Sequence, residues 1–276
     1  MIFANIDPIK RKITLISLPR DLYYNGRKIN SIYRLYGMDE LKRTLSFISG
    51  YKIDRYILID MYAFMDVIDM IGGIDVHLDQ AVIDPTYKTF DGGEWGTLYY
   101  RAGDHHLSGK QALRLARTRH TSSDFARSER QHLILEAIQT KALNFGFGDA
   151  ESLKSMAEVI LSRTETDINL AEAISYFFRY QSFKINGGYT VSSGNVLVSK
   201  YTGDLKREEY NCEEVEEQNP LQETLPAPLT AVPSTAEKSP PDPCANIEKG
   251  EYILLPHGDD WNTIRVFFNK IIEQGA

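Results

Sequence analysis

Apolar and polar residues recur along the chain with the periods of helices and of strands. Spacings of three and four predict helices over 38–49, 63–71, 108–116, 126–143, 149–161, 168–180 and 261–272. Apolar or alternating runs predict strands over 13–18, 54–60, 74–78 and 251–256, and the residues before 18 predict a strand pair or a strand and a turn. Proline and repeated glycine predict a loop-rich connection over 79–107. This succession of helices and strands predicts an α/β fold.

Residues 208–248 differ from the rest of the chain in composition. They contain seven of the eleven prolines, ten acidic residues and a single lysine. Their net charge is therefore −9, and subtracting it from the −7 of the whole chain leaves +2 for the remainder. Such a segment buries too little apolar surface to offset its ordering entropy, so we expect a disordered insertion. A strand and a helix are predicted after it, at 251–256 and 261–272.

Length, charge and hydropathy exclude several classes of protein. The 276 residues are enough for a sizeable core. No apolar run approaches the roughly 18 residues that cross a bilayer, and the N-terminus lacks the pattern of a signal peptide. The net charge of −7 and the absence of a helix-turn-helix pattern argue against binding of nucleic acid.

Cys212 and Cys244 lack metal-ligand spacing; they either pair in an oxidising compartment or remain free thiols.

One stretch of the chain is rich in arginine. Residues 114–131, RLARTRHTSSDFARSERQ, contain five of the sixteen arginines: Arg114, Arg117, Arg119, Arg127 and Arg130. The helical pattern puts them at the end of one helix, in a polar loop and on the first turn of the next helix. Guanidinium groups that converge on a helix N-terminus favour an anion, and arginine suits bidentate contacts with phosphate. The alternative is a solvated basic face with local salt bridges.

Two shorter polar segments are further candidates. Arg20 and Asp21 follow the predicted strand 13–18, where an α/β sheet commonly places its site. Arg20 has the chemistry to hold a phosphate, and Asp21 to bind a divalent cation or accept a proton, although Pro-Arg-Asp also forms ordinary turns. Lys28 is a candidate ligand contact, whereas we expect Asn30 to cap a helix.

These segments resemble the motifs of a known family. Arg-x-Arg-His followed by Asp-x-x-Arg-x-x-Arg-Gln, at 117–131, resembles the hallmark of the LytR–CpsA–Psr family of cell-envelope phosphotransferases. Ser-Leu-Pro-Arg-Asp at 17–21, Lys-Ile-Asn at 28–30 and the segment 103–113 resemble three other family motifs in the same order. The resemblance covers residues 12–200 and, more weakly, 251–272, whose strand and helix resemble the last ones of the family domain. It therefore implies that the insertion 208–248 interrupts one domain, 1–276, rather than separating two.

The resemblance implies a fold, a reaction and a location. The fold would be a three-layer α/β/α sandwich with a mixed central sheet. The protein would be located on the extracytoplasmic face of the cell membrane. The reaction would move a phosphate-linked glycopolymer, a teichoic acid or a capsule-like polymer, from an undecaprenyl-pyrophosphate carrier to peptidoglycan. The alternative is a non-catalytic module that binds polyprenyl phosphate or cell-wall polymer.

The resemblance also implies roles for individual residues. The pyrophosphate would be held by Lys28, Arg117, Arg119, Arg127, Arg130 and Gln131. The catalytic group would be Arg20, Asp21, Arg119 and Asp124. Asp21 and Asp124 would also bind Mg²⁺ (or Mn²⁺), and the cations and the metal would stabilise charge on the transferred phosphoryl group.

In one respect the sequence departs from the family pattern. Family members begin the domain with an earlier strand that carries Gly-x-Asp and then Ser-Asp-Thr, preceded by a transmembrane helix. We therefore expect an N-terminally truncated chain without the first strand or the anchor helix. We also expect strand 13–18 to expose unpaired backbone groups as a result.

Overall fold

The computed structural model describes residues 1–91, 93–118, 124–144, 150–210, 212, 244 and 247–274. The strands are β1 Ile2–Asp7, β2 Lys12–Ser17, β3 Tyr23–Tyr24, β4 Arg27–Lys28, β5 Ile57–Ile59, β6 Ile74–Leu78, β7 Val82–Asp91, β8 Glu94–Tyr100, β9 Gly103–Leu107, β10 Thr164–Thr166, β11 Lys184–Thr190, β12 Leu197–Tyr201 and β13 Tyr252–Pro256. The helices are α1 Ile29–Tyr36, α2 Met38–Ser49, α3 Met61–Met70, α4 Gly109–Arg117, α5 Asp124–Asn144, α6 Ala150–Ser162, α7 Leu170–Tyr180, α8 Thr202–Glu209 and α9 Asn262–Asn269, with a short 3₁₀ turn at His257–Asp259 and a π-helical turn at Lys270–Gln274.

The central sheet has the order β1-β2-β11 and is mixed. Strand β1 pairs with β2 antiparallel, and β11 pairs with β2 parallel. The expectation that strand 13–18 exposes unpaired backbone groups is therefore wrong, because β2 is hydrogen-bonded on both sides.

Helices cover both faces of this sheet. Ile16 and Leu18 point to one face and join the core formed by α1, α2 and α9. Ser17 points to the other face, where its Oγ lies 3.0 Å from Nε2 of His132 on α5. Gly188 on β11 lets α5 approach, since a Cβ there would collide with the His132 ring. The predicted α/β fold with a mixed sheet between two helical layers is confirmed.

A second core lies under α3, α4 and α5. It gathers apolar residues of strands β6, β8 and β9, among them Ile74, Leu98 and Leu107. The loop-rich prediction for 79–107 is wrong, because β7 and β8 form a long hairpin and β9 pairs with β6. The proline and glycine residues that suggested a loop lie within the hairpin. Pro85 lies where the register between β7 and β8 shifts, and Gly93 takes a positive φ of 89° at the turn.

The chain on either side of 208–248 closes into one ladder. Strand β12 pairs antiparallel with β13. Cys212 and Cys244 form a disulfide, with their Cα atoms 5.8 Å apart, which decides between the two alternatives left by the sequence. Of the segment 208–248, predicted to be disordered, Glu208 and Glu209 form the end of α8, so the prediction is wrong for these two residues. Most of the rest of the segment lies outside the described residues. Among the helices of the described ranges, none combines the length and the apolar composition that crossing a bilayer requires.

Candidate phosphate-binding site

Three of the predicted site residues meet at the end of β2. Asp21 Oδ1 lies 3.3 Å from Lys28 Nζ, and Asp21 Oδ2 lies 3.3 Å from Arg20 Nε. The turn is fixed by its backbone, where the Asn30 N–H donates to the Arg20 carbonyl at 3.3 Å. Asn30 does not cap α1 with its side chain: the helix begins at Ile29 after Lys28, without a side-chain cap.

A residue that sequence reasoning missed completes this group. The carboxylate of Glu251 lies 3.2 Å from Lys28 Nζ, and it is 73% exposed. Leu254 of β13 donates its N–H to the Asp21 carbonyl at 3.0 Å, and this contact brings the strand alongside the turn. Burial alone would lower the pKa of Lys28, but hydrogen bonds with Glu251 and Asp21 raise it overall. Lys28 is thus a firmly protonated cation between two carboxylates.

Helix α4 leads into the arginine segment, and its ends are well defined. Ser108 and Gln111 form a capping box at its N-terminus. Near its C-terminus, Arg114 makes a bidentate contact with Asp91, at 2.5 and 3.1 Å. This contact, followed by one with Lys110, holds the pKa of the Asp91 carboxyl well below its ordinary value. Arg114 therefore anchors the β7–β8 hairpin.

Arg130 and Gln131 hold the C-terminus of α4. The Arg130 guanidinium donates to the Leu115 carbonyl at 3.2 Å and to the Thr118 carbonyl at 2.7 Å. Gln131 donates to the Ala116 carbonyl at 3.4 Å. Arg130 is buried, and burial is the main reason that its pKa is lowered. Their predicted pyrophosphate roles stay predictions, because these described contacts are with backbone that helix ends leave unpaired.

Asp84 is a second residue that the sequence did not single out. It is buried, and its Oδ2 accepts a hydrogen bond from the Thr118 hydroxyl at 2.5 Å. Its Oδ1 accepts from the backbone of Thr86 and Tyr87, each at 3.0 Å. A signal was available, since an aspartate directly before proline commonly begins such a turn. Asp84 thus holds Thr118, where the chain leaves α4.

Arg127 lies on the first turns of α5. The ammonium group of Met1 donates to the Leu18 carbonyl at 3.0 Å. Burial lowers the pKa of this ammonium, and the Arg127 cation lowers it further. Arg117, in contrast, is exposed at the end of α4.

The side chains of two predicted catalytic residues, Arg119 and Asp124, lie outside the described part of the structure. Arg119 lies outside the described residues. Asp124 begins α5, but its side chain lies outside the described part of the structure.

The described residues do not gather ligands for the predicted Mg²⁺ (or Mn²⁺). Within the described ranges, no three His, Cys, Asp or Glu side chains form a group suited to a metal ion. Both oxygens of Asp21 face cations, Lys28 and Arg20. The metal therefore remains a prediction, and no step below passes through it.

A comparison with protein families identifies the family of the chain. The model of the LytR_cpsA_psr family matches residues 1–209, so the chain belongs to that family. The chain is similar to the polyisoprenyl-teichoic acid–peptidoglycan teichoic acid transferase TagV of Bacillus subtilis (strain 168), with 30% identity over 193 residues. That match covers 66% of this chain but 48% of TagV, so it spans about half the length of this relative.

Solved structures show the same fold. The crystal structure of B. subtilis TagV superposes with a TM-score of 0.64 at 22% identity, covering 99% of this chain and 88% of that one. The structure of TagT bound to LI-WTA superposes with a TM-score of 0.52 at 21% identity, covering 69% and 70% of the two chains.

Proposed function

We propose that the chain transfers a phosphate-linked glycopolymer from an undecaprenyl-pyrophosphate carrier to peptidoglycan. The observation that carries this proposal is the meeting of Arg20, Asp21 and Lys28 at the end of β2. Cations grouped around a turn at the edge of a sheet suit a pyrophosphate, whose charges need several donors at once. Membership of the family supports the same reaction.

In the proposed step, a hydroxyl oxygen of the acceptor glycan attacks the phosphorus atom next to the polymer. The bond from that phosphorus to the bridging oxygen breaks, and undecaprenyl monophosphate leaves with the electron pair. The hydroxyl proton passes to a carboxylate, for which Asp21 is the described candidate. Lys28, Arg20 and the exposed Arg117 stabilise the charge that develops on the phosphate oxygens, and no oxidant or reductant is needed.

The relatives support the substrate class. TagV is named for the transfer of teichoic acid from a polyisoprenyl carrier to peptidoglycan, and TagT was solved bound to LI-WTA. The Cys212–Cys244 disulfide supports a location outside the cytoplasm, where such bonds persist. The proposal includes three further points. The polymer is a teichoic acid or a capsule-like polymer, and the protein contacts a membrane surface. Asp21 and Asp124 bind Mg²⁺ or Mn²⁺.

The test follows the carrier lipid. Lipid extraction and mass spectrometry of the purified chain should find a polyprenyl phosphate. Incubation with a lipid-linked polymer, peptidoglycan and Mg²⁺ should release undecaprenyl monophosphate, whereas Lys28→Ala should not. Binding of the lipid without release would favour the non-catalytic binding module, and failure to bind it would reject both proposals.

A further inference from the structure

A buried pair of polar side chains, Ser17 and His132, joins the central sheet to α5. Ser17 is the last residue of β2, and its Oγ lies 3.0 Å from Nε2 of His132. The two residues are only 4% and 2% exposed. The proposed transfer step uses neither side chain. Because buried polar groups are costly, a pair of them between a sheet and a helix calls for an explanation.

The His132 ring is oriented by its surroundings. Its Nδ1 is buried without a hydrogen-bond partner in the described part of the chain. Burial lowers the pKa of His132, so the ring is neutral and carries a single N–H. Since buried N–H groups rarely lack a partner, we assign the proton to Nε2, from which it is donated to the Ser17 hydroxyl.

The sequence of β11 makes room for this ring. The register between β2 and β11 shifts at Gly187, which takes a positive φ of 54°. Gly188 follows the shift, and a Cβ there would collide with Nδ1 of His132. Bulges of this kind re-aim a strand and are frequent beside functional sites. The two glycines therefore permit the close approach of His132 to Ser17.

The pair also connects the two segments that supply the proposed site. Ser17 begins the segment 17–21, which forms the turn after β2, and His132 directly follows the segment 117–131. Because each helical residue adds about 1.5 Å along the axis, Arg127 lies only about 7.5 Å along α5 from His132. The hydrogen bond therefore fixes the start of α5 against the end of β2.

Contacts of α5 extend this connection to α4. Arg130 and Gln131, the two residues before His132, donate to carbonyls at the C-terminus of α4. Arg117 is exposed at that C-terminus. Described contacts thus lead from the end of β2 through α5 to Arg117.

We propose that His132 is a positioning residue for pyrophosphate binding. Its hydrogen bond to Ser17 sets the distance between Arg20, at the turn after β2, and the cations on the helices. Those cations are Arg117 and Arg127. A pyrophosphate needs donors from both sides at once, so a small displacement of α5 removes contacts. This inference rests on the proposed function, because the arginines that His132 aligns are the proposed ligands.

The length of the side chain at position 132 gives a direct test. His132→Gln places an amide N–H near the position of Nε2 and keeps the bond to Ser17, whereas His132→Asn carries the same amide on a side chain too short to reach Ser17. Inorganic pyrophosphate is the probe, and calorimetry gives its affinity. His132→Asn and Ser17→Ala should weaken pyrophosphate binding by about two- to tenfold, because loss of one hydrogen bond reduces the aligned share of molecules by at most about this factor. His132→Gln should bind pyrophosphate nearly as the wild type does.

Gln139 supplies the matched control. It lies seven residues beyond His132 on the same face of α5, and its side chain donates to the Phe183 carbonyl at 2.7 Å, just before β11. Gln139→Ala therefore loosens the far end of the same helix. We expect it to lower the melting temperature about as much as Ser17→Ala does, but to leave the affinity for pyrophosphate unchanged.

Gly188→Ala is a second perturbation, because it keeps both hydrogen-bonding groups but pushes the His132 ring away from the sheet. It should weaken pyrophosphate binding as well. Equal affinity in the wild type, Ser17→Ala, His132→Asn and Gly188→Ala would overturn the inference and leave the proposed function standing. So would a loss of affinity in Gln139→Ala as large as that in Ser17→Ala, since affinity would then follow stability alone. A wild type that does not bind pyrophosphate would reject both proposals.

Discussion

Lys28 and Glu251 come from opposite ends of the chain and lie 3.2 Å apart, from Nζ to Oε2. Two hydrogen bonds with Thr202 hold Glu251 in place. The Glu251 N–H donates to the Thr202 hydroxyl at 2.9 Å, and the Thr202 N–H donates to the Glu251 carbonyl at 2.9 Å. The carboxylate therefore occupies one side of the cation that we expect to hold the pyrophosphate. An anionic substrate must displace it or share Lys28 with it.

Glu251→Gln should therefore strengthen anion binding. Removing a mostly exposed competing carboxylate is expected to raise the affinity for inorganic pyrophosphate by about two- to fivefold, because exposed ion pairs are worth at most about 1 kcal/mol. Calorimetry is the measurement. Glu208→Gln is the matched control, since the Glu208 carboxylate pairs with a different cation, Lys200, at 2.8 Å. A weaker affinity in Glu251→Gln would show that the carboxylate orients Lys28 for binding instead of competing.

The disulfide gives a prediction about stability. Cys212 and Cys244 are 32 residues apart, and closing a loop of that size restricts the unfolded chain. The double variant Cys212→Ser/Cys244→Ser should lose about 3–4 kcal/mol of unfolding free energy. Chemical denaturation measures this loss, and a reductant should lower the stability of the wild type but leave the double variant unchanged. Equal stability of both proteins without reductant would contradict the prediction.

The pH dependence of stability should report on two cross-strand pairs between β6 and β9. Asp104 lies 2.6 Å from His77, and its hydrogen bond is the main reason that the pKa of His77 is raised. His106 contacts Asp75 in the same way, and this contact is the first cause of the lowered pKa of Asp75. All four side chains are exposed, so the effects are small.

The two shifts act in opposite pH ranges. Because the folded-state pKa of His77 lies above 6.5, its contribution is complete below that pH and is lost as the pH rises through the raised pKa. The contribution of Asp75 is present above pH 3.8 and is lost as the pH falls through its lowered pKa. Melting temperatures of wild type and Asp104→Asn should therefore differ at pH 6 and converge at higher pH. A difference that stays constant from pH 6 to 9 would count against the assignment to His77.

Parts of the fold follow directly from the sequence. The helix Met38–Ser49 and the strand Ile74–Leu78 have the predicted bounds, because each carries a clear apolar period between turn residues. The hairpin in 79–107 was missed because its proline and glycine occupy an irregular register and a turn within strands. Strand 54–60 is shorter than predicted, since only Ile57–Ile59 finds a partner, β10.

The site shows a similar division. Arg20, Asp21 and Lys28, which the motifs single out, lie close together at the end of β2, and their roles stay predictions. Glu251 could not be found in this way, because its position depends on the pairing of β12 with β13 across the insertion. The helical pattern placed Arg127 and Arg130 at the start of one predicted helix, but such a pattern does not show how deep a side chain lies.

Arg117 and Arg130 should therefore respond differently to mutation. Arg130→Ala removes two charge-assisted hydrogen bonds to α4 and should lower the unfolding free energy by about 1.5–3 kcal/mol. Arg117 is exposed, so Arg117→Ala should leave stability within about 0.5 kcal/mol of the wild type. It should instead weaken pyrophosphate binding by at least about tenfold, because a charge-assisted contact is worth about 1.5–3 kcal/mol.

Two measurements on Arg117→Ala and Arg130→Ala compare these effects. Urea denaturation gives the unfolding free energy, and calorimetry gives the affinity for pyrophosphate. Arg130→Lys is a useful third variant, because it keeps the charge but loses the fork that reaches both Leu115 and Thr118. If Arg130 acts by holding α4, Arg130→Lys should be destabilised nearly as much as Arg130→Ala. If Arg130 mainly binds pyrophosphate as a charge, Arg130→Lys should keep most of the affinity that Arg130→Ala loses, and neither variant should lose much stability. Normal pyrophosphate affinity in Arg117→Ala would remove this residue from the site, whatever the outcome at Arg130.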